Sequence, residues 1–370
     1  MNPIQRINRL GQSIWCDSIS RSMIESGELR RLIDIGITGM TSNPTIFHKA
    51  IAHSTDYDER IQSLSAEGKS VEEVYEALAI EDIADAADLL RPVYDRTNAR
   101  DGFISLEVSP HLAHDTEGTV VQARSLWGRV DRPNLMIKVP GTQAGLPAIR
   151  TLLSEGINVN VTLIFALDLY DKVMQAFLDG VTELGKRGGD VTRIASVASF
   201  FVSRVDTLAD KKLQQKIDGG RKELRDLLGR AAIGNATMAY QRFKSVFDGP
   251  RFAELRRRGA AVQRPLWAST STKNPNYPDT YYVDNLIGPD TVNTIPLDTI
   301  GAVHDHATPA LTIDSRLSDY VTSITRIETA SVSMSDVTDE LLAAGVSAFA
   351  DSFDHLLADI RTKIAALQAV

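Results

Sequence analysis

Short apolar runs alternate with longer amphipathic stretches along this chain, the rhythm of strands and helices taken in turn around a parallel sheet. The pattern predicts strands at 13–17, 36–41, 103–108, 135–139, 158–163, 194–200, 266–269 and 291–295. Apolar residues gathered on one face predict helices at 71–90, 116–130, 168–184, 214–247 and 341–367. Eight strands separated by helices point to an α/β chain folded as a (β/α)8 TIM barrel with extra helices, rather than to a doubly wound open sheet. No glycine-rich dinucleotide fingerprint or phosphate loop follows any of these runs, which counts against a nucleotide-binding fold. Two stretches break the rhythm. Residues 206–264 are long and charge-rich and read as a helical extension between the sixth and seventh strands, and 298–314, with His304, His306 and Pro309, reads as a loop. No linker, low-complexity tract or internal repeat divides residues 1–370, so a single domain is expected.

The informative positions are the polar ones inside the apolar runs. Lys138 stands in Leu135-Met136-Ile137-Lys138-Val139, closed by Pro140-Gly141. Burial penalises a charged amine, and a desolvated lysine aimed into a pocket is the residue type that attacks carbonyls to form Schiff bases. The plainer alternatives are a lysine snorkelling to water from a strand end or paired with a carboxylate. In the fifth predicted strand Asn158, Asn160 and Thr162 alternate with Val159, Val161 and Leu163, so one face is polar. In a barrel the outer face must be apolar to meet helices, which turns that polar face inward, where substrate is the natural partner. Asp17 closes the first strand, Thr41 and Asn43 follow the second, and Glu107 closes the third. A lysine, two acids and several amides at the C-terminal strand ends are the constituents of acid–base chemistry on a polyhydroxylated carbonyl compound. An ion pair of Lys138 with Glu107 or Asp17 explains two of these residues and leaves the asparagines without a purpose.

Composition narrows the setting. The chain is 43% hydrophobic and 24% charged, ordinary for a globular protein. Its net charge of -8 argues against nucleic acid as the main partner, while leaving room for a local basic site that takes a phosphorylated substrate. One cysteine, Cys16, excludes an intrachain disulfide and fits a reducing compartment. The polar start lacks a secretory core, and no apolar stretch reads as long enough to cross a bilayer. A soluble, cytoplasmic protein with no membrane partner is expected.

Five segments then carry a resemblance. Gly36 to Phe47 (GITGMTSNPTIF), Ser105 to Pro110 (SLEVSP) with Asp115-Thr116, Met136 to Thr142 (MIKVPGT), Gly156 to Phe165 (GINVNVTLIF) and Ala198 to Asp206 (ASFFVSRVD) are similar to transaldolase motifs, in family order. The chain resembles the longer bacterial members of that family. The resemblance implies a class I barrel enzyme of the pentose phosphate pathway, needing no metal or other cofactor, with sugar phosphates as its partners. It implies that Lys138 forms the imine, Asp17 handles the sugar hydroxyl proton, and Glu107 with Thr162 and a water shuttles protons for dehydration. Asn43 and Asn160, with Thr41 beside them, would hold the three-carbon unit, and Ser199, Arg204 and Ser269 the phosphate. One position departs from the shorter members: Ser271 stands where they place an arginine, and Lys273 is expected to supply the second phosphate cation.

Other readings of the same residues are a Schiff-base aldolase, a zinc enzyme using His111/His114 and His304/His306, and a silent sugar-phosphate sensor. The aldolase shares the lysine and the fold. The histidine pairs sit in loop-like stretches without a complete ligand set. A sensor has no need of an amine flanked by acids. The sequence leaves the oligomeric state open between monomer and homodimer.

Overall fold

The computed structural model describes residues 1–52 and 54–368. Its centre is one parallel sheet of seven strands: β1 (Gln12–Cys16), β2 (Ile104–Glu107), β3 (Leu135–Pro140), β4 (Val159–Ile164), β5 (Ser196–Phe201), β6 (Arg264–Ala268) and β7 (Thr291–Ile295). Their spatial order is β1-β7-β6-β5-β4-β3-β2, with every pairing parallel. Every strand residue is buried, so the sheet is covered on both faces, and helices make the crossovers. The architecture is a curled parallel sheet with surrounding helices.

The expected second strand, 36–41, is not a regular strand. Met40 makes isolated bridges to Cys16 of β1 and Ile104 of β2, the two edges of the sheet. Its N–H donates to the Phe103 carbonyl at 2.8 Å, and the Thr41 N–H donates to Cys16 at 2.9 Å. The extended stretch is cut short on both sides, by Gly36 in the left-handed region at φ +114° and by a helix that starts at Pro44. Gly39 is pressed against Trp15 so closely that a Cβ there would lie 2.5 Å from the indole, which requires glycine.

Helix boundaries follow local chemistry. The helix Val71–Arg96 starts in a capping box, with Ser70 accepting from the Glu73 N–H and Glu73 accepting from the Ser70 N–H. The expected helix 214–247 is instead three pieces, Ser203–Asp218, a 3₁₀ turn Lys222–Leu227 and Ala231–Phe247. Gly220 (φ +108°) and Gly229 (φ +74°) adopt the left-handed backbone that interrupts it. The expected loop 298–314 begins as a helix, Leu297–His306. Residues 341–367 lie in the longer helix Met334–Gln368. By length and hydropathy that helix could cross a bilayer, which corrects the expectation that no stretch does. Here its Val337, Phe349, Phe353, Leu356 and Ile360 are buried, and it packs against the helices Pro44–Ala52, Asp58–Ala66 and Val71–Arg96. Thr45 donates to Ser352 at 2.9 Å, and Lys363 Nζ lies 2.6 Å from Asp58.

The N-terminal strand ends are closed by buried polar groups. Arg264 of β6 pairs with Asp101 at 3.1 Å and donates to Ser13 at 2.7 Å, while the Trp15 indole donates to Asp101 at 2.9 Å. Asn158 belongs to this end rather than to a substrate face. Its amide donates to the Pro133 and Leu135 carbonyls at 3.1 and 3.0 Å, and its carbonyl accepts from the Ala195 N–H at 2.9 Å. It lies just before β4, where neighbouring strands leave backbone groups outside the ladder.

Outside the barrel end, Asp206 in the helix Ser203–Asp218 is buried, accepting from the Ala232 N–H at 2.7 Å and the Tyr282 hydroxyl at 2.9 Å. Burial first, then the neighbouring Asp210 charge, pushes its carboxyl up to about 7. The folded state therefore holds a proton that the unfolded chain, near 3.8, has released. The stability this group contributes is full below the unfolded value and is lost as pH rises through about 7. Asp206→Asn is expected to raise Tm at about pH 8 and leave it unchanged at about pH 4. Thermal melts across that range check this; an equal shift at both ends would contradict it.

Candidate active site

The register of three adjacent strands sets a row of functional side chains side by side. Glu107 of β2 pairs with Lys138 of β3, and Lys138 with Asn160 of β4. The Lys138 amine lies 3.2 Å from the Glu107 carboxylate and donates to the Ser42 carbonyl at 3.1 Å. Both side chains are nearly closed to solvent, at 5% and 3% exposure. Among the described residues neither Glu107 oxygen accepts a well-directed hydrogen bond, so the contact is one of charge, and the carboxylate keeps acceptor capacity for a water or a reacting group. Burial pushes the Glu107 carboxyl up, with Lys138 pulling the other way and Asp17 adding to the rise.

At the C-terminal strand ends a cavity of about 330 Å³ opens. Lys138, Asp17, Thr41, Asn43, Thr162 and Ser199 reach it from the barrel, and Arg204, Ser269 and Lys273 from the following segments. Glu107 and Asn160 stand behind this wall. Glu107 borders a second cavity of about 350 Å³ with Tyr75, His111 and Phe353. Asn160 is fully buried, donating to Ser105 at 3.0 Å and accepting from the Ser199 hydroxyl at 2.7 Å. Ser199 thus holds Asn160 in orientation rather than offering its proton to a phosphate.

Asp17 is raised by burial, and the charges of Lys138 and Arg204 and a hydrogen bond from Thr41 limit the rise. The Thr41 hydroxyl lies 2.6 Å from Asp17 and 2.7 Å from Thr294, so Thr41 aims the carboxylate. Asn43 accepts the Ile46 N–H at 3.0 Å, capping the helix Pro44–Ala52 and leaving its amide group as donor. Thr162 is buried, and its hydroxyl has no hydrogen-bond partner among the described residues. It precedes Leu163, a left-handed residue (φ +59°) at the point where the β4–β5 register shifts. Ser269 is left-handed too (φ +55°). Such strain costs about 1–3 kcal/mol at each non-glycine site and is held here beside the cavity.

Arg204 follows β5 at the start of the helix Ser203–Asp218, 5.3 Å from the Phe201 ring and without a carboxylate ion-pair partner among the described residues. Burial draws its pKa down, opposed by Asp17. Ser269 contacts Ser203 hydroxyl to hydroxyl at 3.0 Å, and its carbonyl accepts the Ser203 N–H at 2.9 Å. Lys273 donates to Ser271 at 2.7 Å, so the departure at Ser271 leaves a lysine and a serine acting together. This end of the cavity offers two cations, three hydroxyls and no acid.

A family profile described as Transaldolase/Fructose-6-phosphate aldolase matches residues 14–360. The chain belongs to the transaldolase/fructose-6-phosphate aldolase family. A Transaldolase of Thermobifida fusca is 48% identical over 369 residues, covering 99% of each chain. A Transaldolase of a Parafrankia species is 47% identical over 364 residues, covering 98% of each. Transaldolase 2 of a Nostoc species is 43% identical over 379 residues, covering each chain fully.

This transaldolase-family cavity also contains residues that sequence reasoning missed. Lys49 lines it from the helix Pro44–Ala52, spaced four and three residues after Thr45 and Ile46, which line it too. That helical spacing was a readable signal once Asn43-Pro44 is taken as a helix start. Thr294 shares the inward parity of β7. Phe349 covers Lys138 from the last helix, with the amine 5.7 Å from its ring centroid, and nothing local in the sequence marks it. One histidine of each pair is engaged by a carboxylate: His111 with Asp354 at 2.8 Å and His306 with Asp279 at 2.8 Å. Among the described residues no group of three or more His, Cys, Asp or Glu side chains forms a metal-ligand cluster.

Proposed function

We propose that the chain carries out the transaldolase reaction with Lys138 as its nucleophile, moving a dihydroxyacetone unit from sedoheptulose 7-phosphate to glyceraldehyde 3-phosphate. The Lys138 amine adds to C2 of the ketose, and Glu107, with Thr162 and a water, moves the protons that expel hydroxide as water and leave an iminium. Asp17 takes the C4 hydroxyl proton as the C3–C4 bond breaks, and the bonding pair passes into the iminium as erythrose 4-phosphate departs. The resulting enamine attacks the aldehyde carbon of glyceraldehyde 3-phosphate, and Asp17 returns its proton to the new alkoxide. Water then releases fructose 6-phosphate and the free amine.

The observation that carries this reading is the buried Lys138–Glu107 contact at 3.2 Å, with Asp17 on the same cavity and an acid-free cationic end facing it. A carboxyl raised above its ordinary value serves a group that must both accept and return a proton. Arg204 supplies a fork of donors for phosphate oxygens and Lys273 a point charge. Asn43 holds the hydroxyls of the three-carbon unit together with Ser199, whose hydroxyl is oriented by Asn160 behind the cavity wall, and Thr41 orients Asp17. Phe349 and Phe201 keep water from the enamine, favouring transfer over protonation. The bridges at Met40 support residues 38–41 as the eighth stave of a closed barrel, and residues 1–370 as one domain with 206–264 thickening its wall. The cytoplasm, where sugar phosphates are handled, is the proposed setting.

The test follows product formation from sedoheptulose 7-phosphate with and without acceptor. Fructose 6-phosphate is expected only when glyceraldehyde 3-phosphate is present, with erythrose 4-phosphate release limited to a single turnover without it. Continuous cleavage without acceptor would favour an aldolase, and absence of any turnover a sensor.

A further inference from the structure

The helix Ser203–Asp218 carries more than Arg204. One turn and two turns on from its start, Asp206 and Asp210 stand four residues apart on one face and hold a separate part of the chain. Asp210 accepts the Gly229 N–H at 3.0 and 3.1 Å and the Tyr277 hydroxyl at 2.9 Å. Asp206 accepts the Ala232 N–H at 2.7 Å and the Tyr282 hydroxyl at 2.9 Å. Between these two tyrosines, Tyr281 donates to the Gly229 carbonyl at 2.9 Å. The Tyr277 ring lies so close to Gly229 that a Cβ there would approach it to 2.8 Å, so the glycine provides its seat.

These tyrosines end the segment that begins after β6 and contains Ser269, Ser271 and Lys273. At its near end the segment is tied to the same helix by the Ser203 N–H to the Ser269 carbonyl. It also closes on itself, with Thr272 donating to the Pro278 carbonyl at 2.8 Å. Lys273 itself is exposed and lies four residues before Tyr277. A mobile lysine tail on an unanchored loop would lose much of its anion affinity to ordering entropy, whereas a loop pinned at both ends presents the amine ready placed. One helix thus carries the arginine at its start and grips the lysine's loop with two aspartates further along.

We propose that Tyr277 and Tyr282, bonded to Asp210 and Asp206, are positioning residues that hold the Lys273 loop against the Arg204 helix and so set affinity for the phosphorylated end of the substrate. The proposal rests on the reading of Arg204 and Lys273 as phosphate ligands. It assigns a task to the start of the helical stretch between β5 and β6, which the reaction itself leaves unexplained.

The test compares glyceraldehyde 3-phosphate with unphosphorylated glyceraldehyde as acceptor at saturating donor. Tyr277→Phe and Tyr282→Phe are each expected to raise KM for the phosphorylated acceptor about five- to tenfold, with kcat and the KM for glyceraldehyde unchanged. Inhibition by inorganic phosphate is expected to weaken in parallel. Asp210→Asn, which retains a carbonyl acceptor, is expected to stay closer to wild type than Asp210→Ala. Lys273→Ala provides the reference and is expected to raise the same KM. If Lys273→Ala raises it and the tyrosine variants do not, the anchor is overturned while the phosphate reading stands. If Lys273→Ala and Arg204→Lys leave it unchanged, the phosphate reading fails and takes the anchor with it. Equal losses with both acceptors, accompanied by a lower Tm, would reduce the tyrosines to general packing and overturn the proposal.

Discussion

Lys138→Ala is expected to lose covalent capture of the ketose and to lower kcat by about 10⁴-fold or more, the scale on which removing a nucleophile acts. The variant removes the only group at the centre of the Glu107–Asn160 row that can bond to carbon. It also leaves Glu107 buried without its cation, a situation that costs about 3–5 kcal/mol in stability. Borohydride reduction in the presence of fructose 6-phosphate, followed by peptide mapping, reads the chemistry apart from the stability. Wild type is expected to carry the reduced adduct on Lys138, and the alanine variant none. A folded Lys138→Ala protein with full transfer activity would sink the Schiff-base mechanism. Lys138→Met, which fills the same space without charge, keeps the test usable if the alanine variant folds poorly.

The second large effect belongs to Asp17. Asp17→Asn keeps the acceptor that Thr41 needs but cannot take the C4 hydroxyl proton, so kcat is expected to fall by about 10²–10⁴-fold. Imine formation does not require this carboxylate, so borohydride is expected to trap the uncleaved ketose on Lys138 in this variant. That pairing of a covalent adduct with failed cleavage separates Asp17 from Glu107, whose proposed role lies in forming the imine. The raised carboxyl of Asp17 is also expected to place the acid limb of the wild-type kcat profile above the ordinary carboxylate value of 3.8. Below its folded value Asp17 is protonated and cannot accept the proton, so activity falls toward acid. Unchanged kcat in Asp17→Asn, or trapping lost along with activity, would contradict this assignment.

Much of the curled parallel sheet was legible because strand parity is a local property. The alternation Asn158, Asn160, Thr162 announces a polar face, and a lone lysine in Leu135–Val139 is visible without any neighbour. Parity does not say how far along the sheet a residue sits, and Asn158 differs from Asn160 for that reason: one side-chain layer nearer the N-terminal strand ends, it serves backbone carbonyls rather than other side chains. The missing regular strand at 36–41 shows a different limit, since the contact of Gly39 with Trp15 that shapes it joins residues 24 apart in sequence. Helix ends in 206–264 were set by Gly220 and Gly229, whose left-handed backbones are permitted by sequence but chosen by context.

By itself, the sequence determined the alternation of strands and helices, the inward face of the strands, and the presence of a lone lysine inside an apolar strand with acids at the ends of other strands. Those follow from periodicity and residue type, which act over a few residues. Only the tertiary structure decided that Glu107, Lys138 and Asn160 are level, that Glu107 stands behind the cavity that Lys138 lines, and that Phe349 arrives from the last helix to cover the amine. It also decided that Ser199 serves Asn160 and that the Lys273 loop is gripped by the helix bearing Arg204. Distances between groups far apart in the chain are fixed by strand register and packing, and the chemistry of a site depends on those distances.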